Sequence, residues 1–228
     1  MSDCQGQETR YTVGMTELPA PDERPLNLRA EQVAQTRKAL SAAGRLLFGR
    51  HGFAATSVED LAEQARVTTG ALYHHFPSKT ALFESVFEDV HKDLLAASAR
   101  AAEGAPGNVE FLSRAFESFL DAVLEPDVQR ILITDAPAVL GLARFTELDE
   151  RYAYAEIVAV IEAATAEGEL RVEDPETFTR LLLGALTRGG MLIANSEHPR
   201  ATRDAVAKAM RALLGSLSVP GGEPERRA

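Results

Sequence analysis

The chain has no tryptophan, one cysteine and only 6% aromatic residues among its 228. A single thiol, Cys4, excludes an intrachain disulfide framework and a cysteine-built zinc site. No apolar run reaches the roughly 18 residues that a membrane helix needs, since Arg188 interrupts even the greasiest stretch, 181–194. The first ten residues are polar, with no apolar block ahead of a small-residue cleavage site, so they do not read as a secretory signal. A cytoplasmic protein without a membrane partner is expected.

Signatures of catalysis are missing as well. Neither Gly-x-Ser-x-Gly nor a phosphate loop ending in Gly-Lys-Ser/Thr occurs, and Gly189-Gly190 lies inside a helical apolar pattern. His74, His75 and His91 lack the spacing of metal ligands. Carboxylate pairs such as Asp149-Glu150 and Glu173-Asp174 read as helix-start charges or solvated faces. No enzyme, metal or cofactor is expected.

What is present is 45% hydrophobic and 25% charged residue, dominated by Ala, Leu, Glu and Arg, a composition that favours helices over sheets. The net charge of −10 argues against a nucleic-acid partner, which needs cations for its phosphates. Distribution outweighs the total. Residues 27–80 hold 7 basic against 4 acidic side chains, plus His51, His74 and His75, while the acidic excess lies elsewhere.

Apolar periodicity gives an all-α protein of about nine helices. Residues 1–26 lack such periodicity and read as a disordered arm, and 219–228 as a disordered tail. A first amphipathic helix covers 31–50, ending near Gly52. Thr56 with Glu59 has the spacing of a capping box for a second, short helix, and Thr68 or Thr69 caps a third that Pro77 stops. Ser78 caps a fourth, reaching about Ala102. Five more are placed at 108–124, 127–143, 146–167, 174–194 and 200–217, with a kink or break around Pro137–Gly141.

Two short helices joined by a tight turn against a longer one have the helix-turn-helix layout, here with the motif at about 57–76 in a domain of 27–80. The second short helix must enter a major groove roughly 12 Å wide with its leading end. Thr68, Thr69, Gly70 and Ala71 are small enough to do so. Tyr73 and His74 would project outward; for Tyr73 and His75 the alternative is core packing. Lys79 could reach a phosphate, and Thr56 and Ser57 offer hydroxyls where a backbone phosphate could dock.

The runs Gly52-Phe53-Ala54-Ala55-Thr56-Ser57-Val58-Glu59-Asp60-Leu61-Ala62 and Val67-Thr68-Thr69-Gly70-Ala71-Leu72-Tyr73-His74-His75-Phe76-Pro77-Ser78-Lys79 resemble the DNA-binding domain of TetR-type regulators, densely over about 31–91. The resemblance implies a homodimeric transcriptional regulator, usually a repressor, that leaves double-stranded operator DNA when a small molecule occupies its C-terminal domain. It implies phosphate contacts from Thr56 and Ser57, and base contacts from Thr68, Thr69 and Ala71. Tyr73, His74, His75 and Lys79 would line the groove edge. Arg66 departs from the family, standing where the turn commonly has glycine, so either it adopts a strained geometry or the turn differs. A helical adaptor working through protein partners is the alternative.

Residues 81–218 read as a helical ligand-binding and dimerisation domain. Phe116, Phe119, Leu120, Ile133, Leu140, Phe145 and Tyr152 are candidates to line a cavity for a mostly apolar ligand, with Arg144, Tyr152 or Arg114 as polar handles; core packing is the competing role. The last two helices carry more apolar surface than a monomer needs, and Gly184, Ala185, Gly189 and Gly190 would let a twin approach closely; closing the monomer's own core is the other possibility.

Overall fold

A computed structural model describes residues 24–219, and within them the regular structure is helical, joined by turns and loops, with one isolated antiparallel bridge, Leu170 to Ser218. The arm and tail expected at 1–26 and 219–228 lie outside the described residues, except that 24–26 are already helical and Val219 follows the bridge. Helix α1 spans Arg24–His51, seven residues longer at its start than periodicity indicates. Pro25 suits such a first turn, where its missing N–H has no partner to lose. Helices α2 (Val58–Gln64) and α3 (Thr69–His75) follow, then α4 (Lys79–Ala102) and α5 (Asn108–Ala122).

A sixth rod, α6, is made of Pro126–Val128, a π-helical stretch Gln129–Asp135 and Ala136–Leu140. Pro137 explains the wide turns. A proline ring collides with the carbonyl four residues back and offers no N–H, so the ladder gives way just before it. Gly141, at φ +76°, then breaks the rod. Helices α7 (Leu142–Ala166), α8 (Pro175–Ala194) and α9 (Pro199–Leu217) complete nine helices among the described residues.

Two cores hold these together. The larger joins Leu40 and Phe48 of α1, Leu61 of α2 and Leu72 of α3 to α4, and continues into Ile131, Leu132 and Ile133 of α6 and Phe145 of α7. The second gathers Leu112, Phe116, Ile161, Leu182, Leu186 and Met210 from α5, α7, α8 and α9. Packing therefore runs without a gap past residue 80. Helix α4 feeds Leu82, Phe83 and Val86 into the same core as the short helices, and its later turns reach the C-terminal bundle.

The turn between α2 and α3 settles the Arg66 question. Arg66 has φ +58° and is the only non-glycine with positive φ among the described residues. Its N–H donates to Glu63 O at 3.0 Å, and Val67 N–H donates to Ala62 O at 2.9 Å. These are the paired bonds of a Schellman motif, with Arg66 at the left-handed position that favours glycine. An L-residue there costs roughly 1 kcal/mol. Arg66→Gly is therefore expected to raise stability by about 0.5–1 kcal/mol in urea unfolding; destabilisation would contradict the strained geometry.

Candidate nucleic-acid interface and internal cavity

Ser57, not Thr56, caps α2. Its Oγ accepts from Asp60 N–H at 3.0 Å, while Asp60 Oδ2 accepts from Ser57 N–H at 3.1 Å. These bonds hold the Asp60 carboxyl below its usual range. The capping box thus sits one residue later than the Thr56–Glu59 spacing suggests. Thr56 is buried, and its hydroxyl donates to Gly52 O at 2.8 Å, closing the corner after α1. That side chain cannot reach a phosphate, which corrects the role expected of it.

Lys79 requires the same correction. Its ammonium donates to Phe53 O at 2.8 Å and Thr56 O at 2.9 Å and lies 4.2 Å from the centre of the Phe53 ring. It pins the first turn of α4 to the corner leading into α2 rather than facing outward.

Helix α3 has the expected form. Thr68 caps it by accepting Ala71 N–H at 3.1 Å, and Leu72 and Phe76 anchor it in the core. Thr68, Thr69, Gly70 and His74 are exposed, Ala71 and His75 half-buried, and Tyr73 is 53% exposed. One outward face thus carries Thr68, Thr69, Gly70, Tyr73 and His74, with Ser57 at the start of the neighbouring helix. Arg37, which sequence reasoning did not single out, donates from α1 to His75 O at 3.2 Å and stacks 4.2 Å over the Phe76 ring. It fixes the far end of α3, a long-range contact that no local pattern announces.

Gly70 has no internal reason to be glycine. A Cβ there would meet only Thr68 Oγ1, at 3.8 Å, an ordinary contact. The residue is exposed, so a Cβ would point into space outside the protein's own packing. Gly70→Ala should leave unfolding stability unchanged or about 0.5 kcal/mol higher, while weakening DNA binding about tenfold or more in a fluorescence-anisotropy titration. Equal affinity would remove Gly70 from the interface.

A cavity of about 150 Å³ lies between α4, α5, α7 and α8. Of the expected lining residues, Phe116 and Phe119 do line it. Leu120, Ile133 and Phe145 are buried in the core instead, and Leu140 and Tyr152 pack against it, because those faces of their helices turn toward neighbouring helices. Arg144 is paired with Glu84 and Glu147, and Arg114 with Glu110, so neither is a polar handle. The polar residues that line the cavity are ones the sequence reading passed over or misplaced: His91 and Ser98 on α4, Asp149 on α7 and Thr187 on α8. Asp174 does act as a helix-start charge, accepting Thr177 N–H at 3.0 Å. Asp149, grouped with such surface charges, instead faces the cavity.

Burial pushes the Asp149 carboxyl up to about 6, opposed by the Thr187 hydroxyl and reinforced by Glu150. Burial also brings His91 down to about 4, keeping it neutral. Asp149 is therefore uncharged in the folded chain below about pH 6, and its buried charge lowers stability as pH rises toward and past that value. Asp149→Asn should stabilise the chain by about 1–2 kcal/mol at pH 7.5, a gain that vanishes near pH 4. The opposing His91 contribution, lost as pH falls from 6.5 toward 4, is common to both proteins and cancels in the difference. Thermal melts showing a pH-independent gain would contradict this.

No helix among the described residues is long and apolar enough to cross a membrane, and no group of three or more His, Cys, Asp or Glu there could hold a metal. A helix-turn-helix head continuous with a helical bundle is the architecture of a DNA-binding regulator. Residues 40–86 match the model of bacterial regulatory proteins of the tetR family, and 109–217 that of a tetracyclin repressor-like C-terminal domain. A TetR-family transcriptional regulator from Pectobacterium atrosepticum is 31% identical and superposes with a TM-score of 0.75, over 84% of this chain and 98% of that one. UidR, an HTH-type transcriptional regulator of Escherichia coli, is 28% identical over 191 residues, covering 80% of this chain and 92% of UidR. RolR, crystallised with resorcinol, shares the fold at a TM-score of 0.67 and 19% identity, over 82% of this chain and 91% of that one. The chain belongs to the TetR family of transcriptional regulators.

Proposed function

We propose that this regulator works as a homodimeric repressor that leaves its operator when a small molecule fills the cavity between α4, α5, α7 and α8. The observation that carries the proposal is the placement of α4. Its first turns, through Lys79, Leu82 and Phe83, hold the corner and core behind α3, and two to five turns later His91, Leu94, Leu95 and Ser98 form the cavity wall. A molecule that fits one setting of α4 better than another shifts the population of α3 orientations. The match to a repressor-like C-terminal domain and the resorcinol complex of RolR support an effector site in this bundle.

The DNA-facing residues in this proposal are Ser57, Thr68, Thr69, Gly70, Ala71, Tyr73 and His74, with His75 at the rim. Thr56 and Lys79 support them from within. Ser57 and Thr68 cap their helices with oxygen lone pairs and keep a hydroxyl proton for phosphate or base. Dimerisation uses α8 and α9, where Leu181, Leu192 and Leu213 are exposed and Gly184 has open space beside it. Gly189 and Gly190 serve the monomer instead. A Cβ on either would collide with Val206 of α9 or Ile133 of α6. Two copies joined along α8 and α9 would present two α3 helices roughly 34–36 Å apart, or near a multiple of that, for a two-fold operator.

A gel-shift titration on DNA flanking the protein's own gene should give a saturable, sequence-specific complex at physiological salt. Tyr73→Ala, which removes an exposed ring without touching the core, should lower that affinity about tenfold or more with unchanged thermal unfolding. No specific complex, or full affinity in the variant, would contradict the proposal.

A further inference from the structure

Two polar atoms in the cavity wall have no partner among the described residues. His91 Nδ1 and Ser98 Oγ are buried and make no hydrogen bond, in residues only 4% and 7% exposed. Both line the cavity. Seven residues apart on α4, they share a face and lie roughly 10 Å apart along its axis. Orphaned buried polar atoms are rare because each forfeits its water without compensation, so a pair facing one cavity points to an occupant that pairs with them.

The end near His91 has further unspent capacity. Asp149 Oδ1 is 3.9 Å from His91 Nε2, too far for a hydrogen bond, and Asp149 Oδ2 receives only a long 3.4 Å contact from Thr187. Between the ends the wall is apolar, with Leu94, Leu95, Phe116, Ile157 and Leu183. Among the described residues no lysine or arginine lines the cavity; the charged residues lining it are Asp149 and, at the exposed side, Glu156. The volume is that of a single ring with a short extension, since an engineered cavity of roughly 150 Å³ binds benzene.

We propose that the cavity takes a slender, uncharged molecule with an apolar middle and a hydroxyl at each end, one among His91, Asp149 and Thr187 and the other at Ser98. This rests on the bundle being the effector domain. A hydroxyl donates and accepts at once, which suits an end that presents a carboxylate acceptor, a neutral imidazole and a hydroxyl. A carboxylate or phosphate would meet Asp149 with like charge and find no cation. An ammonium would shed its water for one buried carboxylate and could not accept from the remaining donors.

The test is calorimetric titration of the full chain at pH 7.5 with four probes of similar length: 4-(3-hydroxypropyl)phenol, 4-propylphenol, 4-propylbenzoate and 4-propylbenzylamine. The diol should bind most tightly, the phenol about tenfold more weakly, and the benzoate and amine at least about thirtyfold more weakly. Ser98→Ala should abolish the advantage of the diol over the phenol. Asp149→Asn should weaken the diol yet improve the benzoate about tenfold, a crossed response that general loosening of the bundle does not produce. Benzoate or amine binding as tightly as the diol overturns the ligand class and leaves the effector cavity standing. A diol advantage that survives Ser98→Ala overturns the placement. Binding of no probe, with operator complex still seen by gel shift, overturns this inference and leaves the effector role of the bundle and DNA recognition standing.

Discussion

The structure depends on α4 being one continuous rod buried at both ends in different company. Near its start, Phe83 meets Phe48 of α1 and Phe53 of the following corner, all ring centres within 5.3–5.8 Å of one another. Lys79 closes the cluster with two carbonyls and the Phe53 face. Further along, Phe87 meets Phe145 of α7 edge-to-face at 5.9 Å, and His91 follows one turn later in the cavity wall. Close-packed cores pass on strain rather than absorbing it. A displacement of the middle of α4 therefore reaches the corner that sets α2 and α3.

A second link joins the bundle to the head without passing through α4. Asp135, at the end of the π-helical stretch, accepts Phe53 N–H at 2.7 Å, and Arg130 donates to Arg50 O at 2.6 Å, satisfying a carbonyl at the end of α1. Gly49 lies so close to Asp127 that a Cβ would stand 2.6 Å from its side chain. The same rod touches α8 where Ile133 sits over Gly190. The head is thus held from two sides, by α4 through its core and by α6 through its backbone. In the proposed population shift, both holds would have to change together for the head to reorient.

The helix-turn-helix was legible because it is local. Its caps, short apolar stripes and stop at Pro77 lie within some twenty residues, and each sets its own turn. The errors fall where the folded corner, rather than residue type or spacing, decides a side chain's partner. Thr56 and Lys79 look like phosphate ligands by residue type and position, but each finds carbonyls in the same corner, a pairing visible only once α1, α2 and α4 are folded. Ser57 and Thr56 both fit an N-cap, and backbone geometry alone chooses between them. In the bundle, periodicity identifies buried faces without saying which buried face borders a void. Phe116 and Phe119 could not be separated from Leu120, Ile133 or Phe145 by spacing. Asp149 was indistinguishable from a surface charge until α7 was seen to turn it inward. Arg66 was legible by its departure, since a bulky residue in a glycine place either strains or reshapes the turn, and here it strains.

The central claim is that the bundle sets the orientation of the DNA-reading head through both α4 and the α6 clasp. It is tested most directly by the operator affinity of Asp135→Ala, measured by fluorescence anisotropy beside a thermal melt of the same protein. The account predicts at least a roughly tenfold loss of specific affinity with the helical bundle still melting cooperatively near the parent temperature. Unchanged affinity in a variant that has lost the Phe53 N–H bond would contradict it.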